Sequence, residues 1–118
     1  MENIKIRAIE ASVSFLTRHG YEILASRWQS AGSSIDIVAK DDGDIVFVDV
    51  RANLASEGFR EPAATREKRE AAAAAWLATD GDGLVDASIR FDDIAMMVVS
   101  GSRALLRHHI NALGSLEG

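Results

Sequence analysis

The chain has 118 residues and no cysteine, is 47% hydrophobic and carries a formal net charge of −5. That size and apolar share are enough for one domain with a genuine core. The lack of cysteine excludes disulfides and thiolate metal sites, which suits a reducing cytoplasm. The acidic balance argues against tight non-specific binding to nucleic acid, because proteins that grip phosphates are usually basic on at least one face.

Met1-Glu2-Asn3-Ile4-Lys5 is not followed by an apolar segment, so it does not open a signal peptide. The longest uncharged stretches, Ala71 to Thr79 and Ile94 to Ser102, are too short to cross a bilayer, and no membrane partner is expected. No linker, low-complexity run or internal repeat divides the chain, which reads as a single domain over residues 1–113 with a frayed tail over 114–118.

Ile4 to Arg18 reads as an amphipathic helix, with Ile6, Ile9, Val13 and Leu16 at helical spacing and Phe15 widening the stripe. Gly20 is the expected left-handed cap. Glu10 lies at the rim of the stripe and reads as a solvated residue. Tyr21 to Trp28 forms a first strand, and Gln29 to Ser33 a polar turn.

Ile35 to Lys40 and Ile45 to Arg51 are β-rich runs flanking Asp41-Asp42-Gly43-Asp44, the signature of a hairpin. Alternation groups Asp36 with Val38, and Ile45 with Phe47, Asp49 and Arg51. If the turn closes symmetrically, Ala39 pairs with Val46, Val38 with Phe47 and Asp36 with Asp49. A three-residue loop with a bulge would instead slip the register and separate the aspartates. Two carboxylates directly opposite one another repel, so the symmetric register demands a counter-charge: a divalent cation, or Arg51 on the same face.

Ala52 to Pro62 loses periodicity and reads as an exposed, mobile loop beside the aspartates, a common place to hold a substrate. An alanine-rich helix follows over about residues 63–79, started by Pro62 near its first turn. Lys68, Ala72, Ala75, Trp76 and Thr79 share a face, with Trp76 as anchor and Lys68 emerging at its edge. Asp80-Gly81-Asp82-Gly83 ends the helix.

Ser88 to Val99 is apolar on both faces, as a central strand requires, and its methionines read as core filler. Ser100-Gly101-Ser102 turns into a last strand, Arg103 to Arg107. His108 and His109 are adjacent on an extended chain and point to opposite faces, a poor geometry for chelation by the pair. The order helix, strand, hairpin, helix, strand, strand predicts an α/β fold, a mixed sheet of about five strands flanked by helices.

Several segments, in order, resemble the YraN-like family, small proteins assigned the restriction-endonuclease-like PD-(D/E)xK nuclease fold and close in build to archaeal Holliday-junction resolvases. They are Phe15-Leu16, Gly20-Tyr21-Glu22-Ile23-Leu24, Ile35-Asp36-Ile37-Val38-Ala39, Phe47-Val48-Asp49-Val50-Arg51, Lys68, Arg90-Phe91-Asp92 and His109-Ile110-Asn111-Ala112-Leu113. The chain reads as a divergent member. Ser33-Ser34 replaces a glycine-glutamate, and Ile9 stands at the first-helix glutamate, with Glu10 one residue away. Asp49 replaces a glutamate, and Arg51 replaces the lysine.

The resemblance implies phosphodiester hydrolysis on structured DNA or RNA with Mg²⁺, or Mn²⁺ in its place, held by Asp36 and Asp49. Arg51 then stands at the catalytic lysine position, and Arg51, Arg66 and Lys68 contact the nucleic-acid backbone. Arginine keeps the charge but does not deprotonate and has a different shape, so catalysis is expected to be weakened or lost. The alternative is a non-catalytic binding or scaffolding module in which Arg51 neutralises Asp36 and Asp49 through a bidentate pair. By fold-level analogy alone, domains of this size often pair to span a duplex, which makes a homodimer one option for this chain.

Overall fold

A computed structural model describes residues 3–55, 64–83, 87–100 and 103–113. Seven elements follow the expected order: α1 (Asn3–Arg18), β1 (Glu22–Ser30), β2 (Ser33–Asp41), β3 (Asp44–Leu54), α2 (Arg66–Thr79), β4 (Ser88–Ser100) and β5 (Arg103–His109). They build one five-stranded mixed sheet in the order β1-β2-β3-β4-β5. Three of its neighbouring pairs are antiparallel, and β3 with β4 is parallel, joined by the crossover through α2. No helix among the described residues is long and apolar enough to cross a membrane.

Each helix covers one face of the sheet. Ala8, Ile9 and Leu16 of α1 pack on Ile37, Ala39, Val46, Val48, Val50, Ile94 and Met96. Ala72, Ala73 and Trp76 of α2 pack on Val38, Ile45 and Phe47. Central strands covered on both sides must be apolar on both, and this explains the unbroken Ile-Val-Phe-Val run of β3. The small alanines bring α2 close to the sheet, and the Trp76 ring meets Phe47 edge-on at 5.9 Å. Gly20, at φ 92°, caps α1 as its position after His19 suggests.

The β2–β3 hairpin settles the register. Asp42 and Gly43 take φ 50° and 94°, the paired left-handed angles of a two-residue type I′ turn. Val38 faces Phe47 and Ala39 faces Val46, as a symmetric turn requires.

Several boundaries differ from the sequence expectation: β2 starts at Ser33 rather than Ile35 and β5 runs to His109 rather than Arg107, and three others have a clear cause. β1 continues to Ser30, because a tight turn at Ala31 and Gly32 (φ 44° and 89°) needs fewer residues than a polar loop. β3 continues to Leu54, its parallel partner β4 drawing Ala52, Asn53 and Leu54 into the ladder that was read as loop. Residues 56–62 of that loop, Pro62 included, lie outside the described residues, as do Gly101, Ser102 and the tail over 114–118. α2 begins at Arg66, because Thr65 caps it: the Thr65 hydroxyl accepts from the Lys68 N–H at 3.2 Å. Thr65→Ala is expected to lower stability by about 1 kcal/mol in chemical denaturation, the usual cost of a lost N-cap.

Candidate functional site

The hairpin ladder stops at Ile37–Val48, one pair short of the two aspartates. Continued in register, the ladder would set Val50 opposite Ile35, exchanging both backbone bonds. Side chains take over instead. The Val50 N–H donates to Asp36 Oδ2 at 2.8 Å, and the Lys5 ammonium, arriving from α1, donates to the Val50 carbonyl. Lys5 Nζ also lies 3.2 Å from Asp36 Oδ2. Where the strands part, Asp36 and Lys5 thus satisfy the two polar groups a β-ladder would have paired.

The backbone is irregular around this point. Ile35 packs with Val38 in the α2-side core, so strict alternation lapses across Asp36. On β1, Arg27 lies between the pairs Ser26–Ile37 and Trp28–Ile35 at φ 53°, a conformation that costs a non-glycine residue free energy and concentrates at functional positions.

Asp36 and Asp49 both line a cleft of about 480 Å³, together with Lys5, Ser33, Ser34, Lys68 and Arg69. Asp49 is half-buried, and burial first, then the Asp36 charge, push its carboxyl up to about 6. Arg69 and Lys5 pull it the other way, and Asp93 adds to the upward push. The two aspartates therefore share one electrostatic environment, as the symmetric turn implied.

Arg69 and Asp93 were not singled out in the sequence. Arg69 is buried at 8% exposure, and its guanidinium donates to Asp93 Oδ1 at 2.7 Å and to the Asp92 carbonyl at 2.9 Å. It also lies 5.4 Å from the centre of the Phe91 ring. Asp93 sits beside Asp49 in the parallel β3–β4 register, so Arg69 offsets a second pair of adjacent carboxylates. Lys5 was missed for a similar reason: a lysine in the first turn of an amphipathic helix gives no sign of reaching past the sheet.

The other expected site residues divide. Lys68 is exposed and lines the cleft. Arg66 turns away: its guanidinium donates to the Leu113 carbonyl at 2.6 Å and lies 3.6 Å from Glu70. Arg51 makes no ion pair with Asp36 or Asp49, and its Nε is buried without a hydrogen-bond partner. The cation beside Asp36 is Lys5. Glu10 is exposed.

A second polar cluster lies apart from the cleft. Asp92 is fully buried and accepts from Arg90 Nε at 2.9 Å, Arg90 Nη2 at 3.0 Å, His108 Nε2 at 2.8 Å and the Asn111 N–H at 2.9 Å. Tyr21 Oη donates to it more weakly at 3.3 Å and accepts from Arg90 at 2.7 Å. Burial alone would raise Asp92, but the bonds from His108 and Arg90 outweigh it and hold the carboxyl down at about 2. An ionised carboxylate only accepts, so His108 carries its proton on Nε2. His108 thus has a structural partner, and His109 is exposed.

Among the described residues, no cluster of three or more His, Cys, Asp or Glu stands placed to hold a metal ion. The cleft offers two carboxylates, both hard oxygen donors. That set suits Mg²⁺, which is commonly bound through one or two carboxylates while keeping several waters.

Residues 10–96 match the family described as Uncharacterised protein family UPF0102. The chain belongs to this family, the YraN family. A UPF0102 protein of Pelobacter propionicus is 35% identical over 116 residues, covering 93% of this chain and 81% of its own. One of Geobacter sulfurreducens is 32% identical over 111 residues, with 91% and 85% covered. One of Roseiflexus castenholzii is 48% identical over 56 residues, 47% of this chain and 45% of that relative, so the match spans less than half its length. The segment matched to UPF0102 includes Asp36, Asp49, Arg51, Lys68, Arg69 and Asp93, and begins after Lys5.

Proposed function

We propose that this UPF0102 protein is a nucleic-acid-processing protein of the metal-dependent nuclease-like fold, acting on phosphodiesters of structured DNA or RNA with catalysis weakened by Arg51. The observation that carries this reading is that Asp36 and Asp49 line one cleft together with Lys5, Lys68 and Arg69. Carboxylates and cations sharing a cleft suit a ligand that brings a metal ion and a phosphate together. The local backbone strain at Arg27 and the raised Asp49 carboxyl both fit a site held ready for a ligand.

Asp36 and Asp49 would hold Mg²⁺ or Mn²⁺, with water completing the coordination. When bound, that ion polarises a phosphate and lowers the pKa of a bound water. Lys68, exposed at the cleft, would meet the phosphate backbone. Arg69, anchored by Asp93 and the Asp92 carbonyl, supplies a fixed positive potential at the wall. Arg51 keeps a positive charge two residues after Asp49 but provides no titrating amine. Nucleic-acid affinity without metal is expected to be low and salt-sensitive, given a net charge of −5.

The test is cleavage of branched and single-stranded DNA and RNA with Mn²⁺ or Mg²⁺, comparing wild type, Asp49→Asn and Arg51→Lys. Arg51→Lys is expected to raise metal-dependent cleavage by about 10²-fold, the usual range for one well-placed electrostatic or proton-transfer group. Asp49→Asn is expected to remove it. Equal silence from wild type and Arg51→Lys on every substrate, with no metal-dependent rise in melting temperature, would sink the reading.

A further inference from the structure

The Lys5 ammonium has an unusual set of partners. It bonds to the Val50 carbonyl and lies 3.2 Å from Asp36 Oδ2. It is also close enough to Asp49 to stabilise that group's charge. Asp36 and Asp49 are the carboxylates that the cleft offers a divalent cation. The ammonium stands beside them as a monovalent stand-in, and an ammonium and a metal ion cannot occupy one oxygen set together.

Lys5 is held less closely than the buried cation, Arg69. Its side chain is 37% exposed, against 18% for Asp36 and 7% for Arg69. It is attached through a flexible four-carbon stem to the first turn of α1, whereas Arg69 is pinned by three acceptors. An ion pair with one partly exposed partner is worth little, because water competes for it. A hydrated divalent ion with two carboxylates in reach exerts about twice the Coulomb attraction on each.

Resting on the metal-ligand reading of Asp36 and Asp49, we propose that Lys5 is a displaceable internal counter-ion that competes with the divalent cation. It holds the parted strands and the Asp36 carboxylate in register in the metal-free protein. Metal entry requires the ammonium to swing out towards the cleft mouth. The displaced charge then lies on the side from which a phosphate would approach. Lys5 sets how much free metal the site needs, and Arg51 is not part of that competition.

The experiment is Mn²⁺ and Mg²⁺ titration of the full chain by calorimetry and thermal shift, with no nucleic acid present. Lys5→Met removes the charge and keeps the stem, and is expected to bind Mn²⁺ at least tenfold tighter than wild type. Lys5→Arg keeps the charge and is expected to bind as weakly as wild type. Asp49→Asn combined with Lys5→Met is expected to abolish the gain. If wild type and Lys5→Met bind metal equally, or Lys5→Met binds more weakly, Lys5 is not a competitor, and the metal site stands without it. If neither binds, both the competition and the metal-ligand reading fall. A drop in melting temperature for Lys5→Met with unchanged metal affinity marks Lys5 as a structural plug and overturns the proposal.

Discussion

Asp92→Asn is expected to destabilise the protein by about 3–5 kcal/mol, the typical cost of breaking a buried ion pair from one side. Asparagine has nearly the same shape, so no cavity explains the loss. Its amide keeps one acceptor oxygen and turns the other position into a donor. With the oxygen kept towards Arg90 Nε and the Asn111 N–H, the new NH2 group faces Arg90 Nη2 and His108 Nε2, which are donors themselves. Arg90 would keep Asp41 at 3.0 Å but lose one of its two bonds to position 92 and the charge that strengthens the other.

The pH dependence follows from the direction of the shift. Asp92 sits at about 2 when folded, against an ordinary 3.8. The native state therefore holds fewer protons than the unfolded state between those values, and its advantage is complete above about pH 4. That advantage disappears as pH falls through 2. Urea denaturation of wild type and Asp92→Asn should show a gap that is constant from pH 5 to 7 and narrows towards pH 2. A gap below 1 kcal/mol at neutral pH, well under the range for a buried pair, would contradict a structural role for the cluster.

Asp49→Asn is expected to act in the opposite direction, stabilising the protein by about 2 kcal/mol at pH 7.5. Asp49 is raised from 3.8 to about 6 by burial and by Asp36, so folding opposes its ionisation. Between pH 4 and 6 the native state keeps a proton that the unfolded state has lost, and stability falls as pH rises through that window. Above pH 6 the penalty is complete, and below pH 4 it vanishes. The difference between Asp49→Asn and wild type should therefore be near zero at pH 3.5 and grow to its full size by pH 7. Carboxylates that do not interact with Asp49 titrate alike in both proteins and cancel in the comparison. A residue whose charge costs stability, in a cleft, is characteristic of a binding position rather than a scaffold.

Much of this arrangement is local and was open to reading along the chain. Asp42-Gly43 between two β-branched runs dictates a type I′ turn, and that turn alone sets Val38 against Phe47. The approach of Asp36 and Asp49 follows from counting outward. The resemblance quoted Arg90-Phe91-Asp92 and the residues after His108 as closing motifs, and the structure supplies their physical content: Asp92 binds Arg90, His108 and the Asn111 N–H together.

The residues missed share one property, dependence on how distant elements dock. Arg69 stood in a charged run where any member suits a solvated face. Its burial reflects the rotation of α2 about its axis, which is set by Trp76 seating on Phe47. Asp93 meets Asp49 through a parallel register, and a crossover connection carries no turn chemistry from which to count it. Of the counter-charges the sequence offers Asp36, a divalent cation or Arg51, Arg51 makes no pair with it, and Lys5 stands there instead. Sharing a strand face places a side chain by direction only, and the gap where β2 and β3 part is filled from α1.

The amino-acid order by itself determined the seven elements, the apolar surfaces of the central strands and the meeting of two acidic strands, because these rest on periodicity and a tight turn that act over a few residues. Tertiary structure alone decided which cations stand beside the acids and where the hairpin ladder ends. Those outcomes depend on helices docking from opposite faces of a sheet, and the long, flexible side chains of Lys5 and Arg69 take their positions only after the backbone has closed around them.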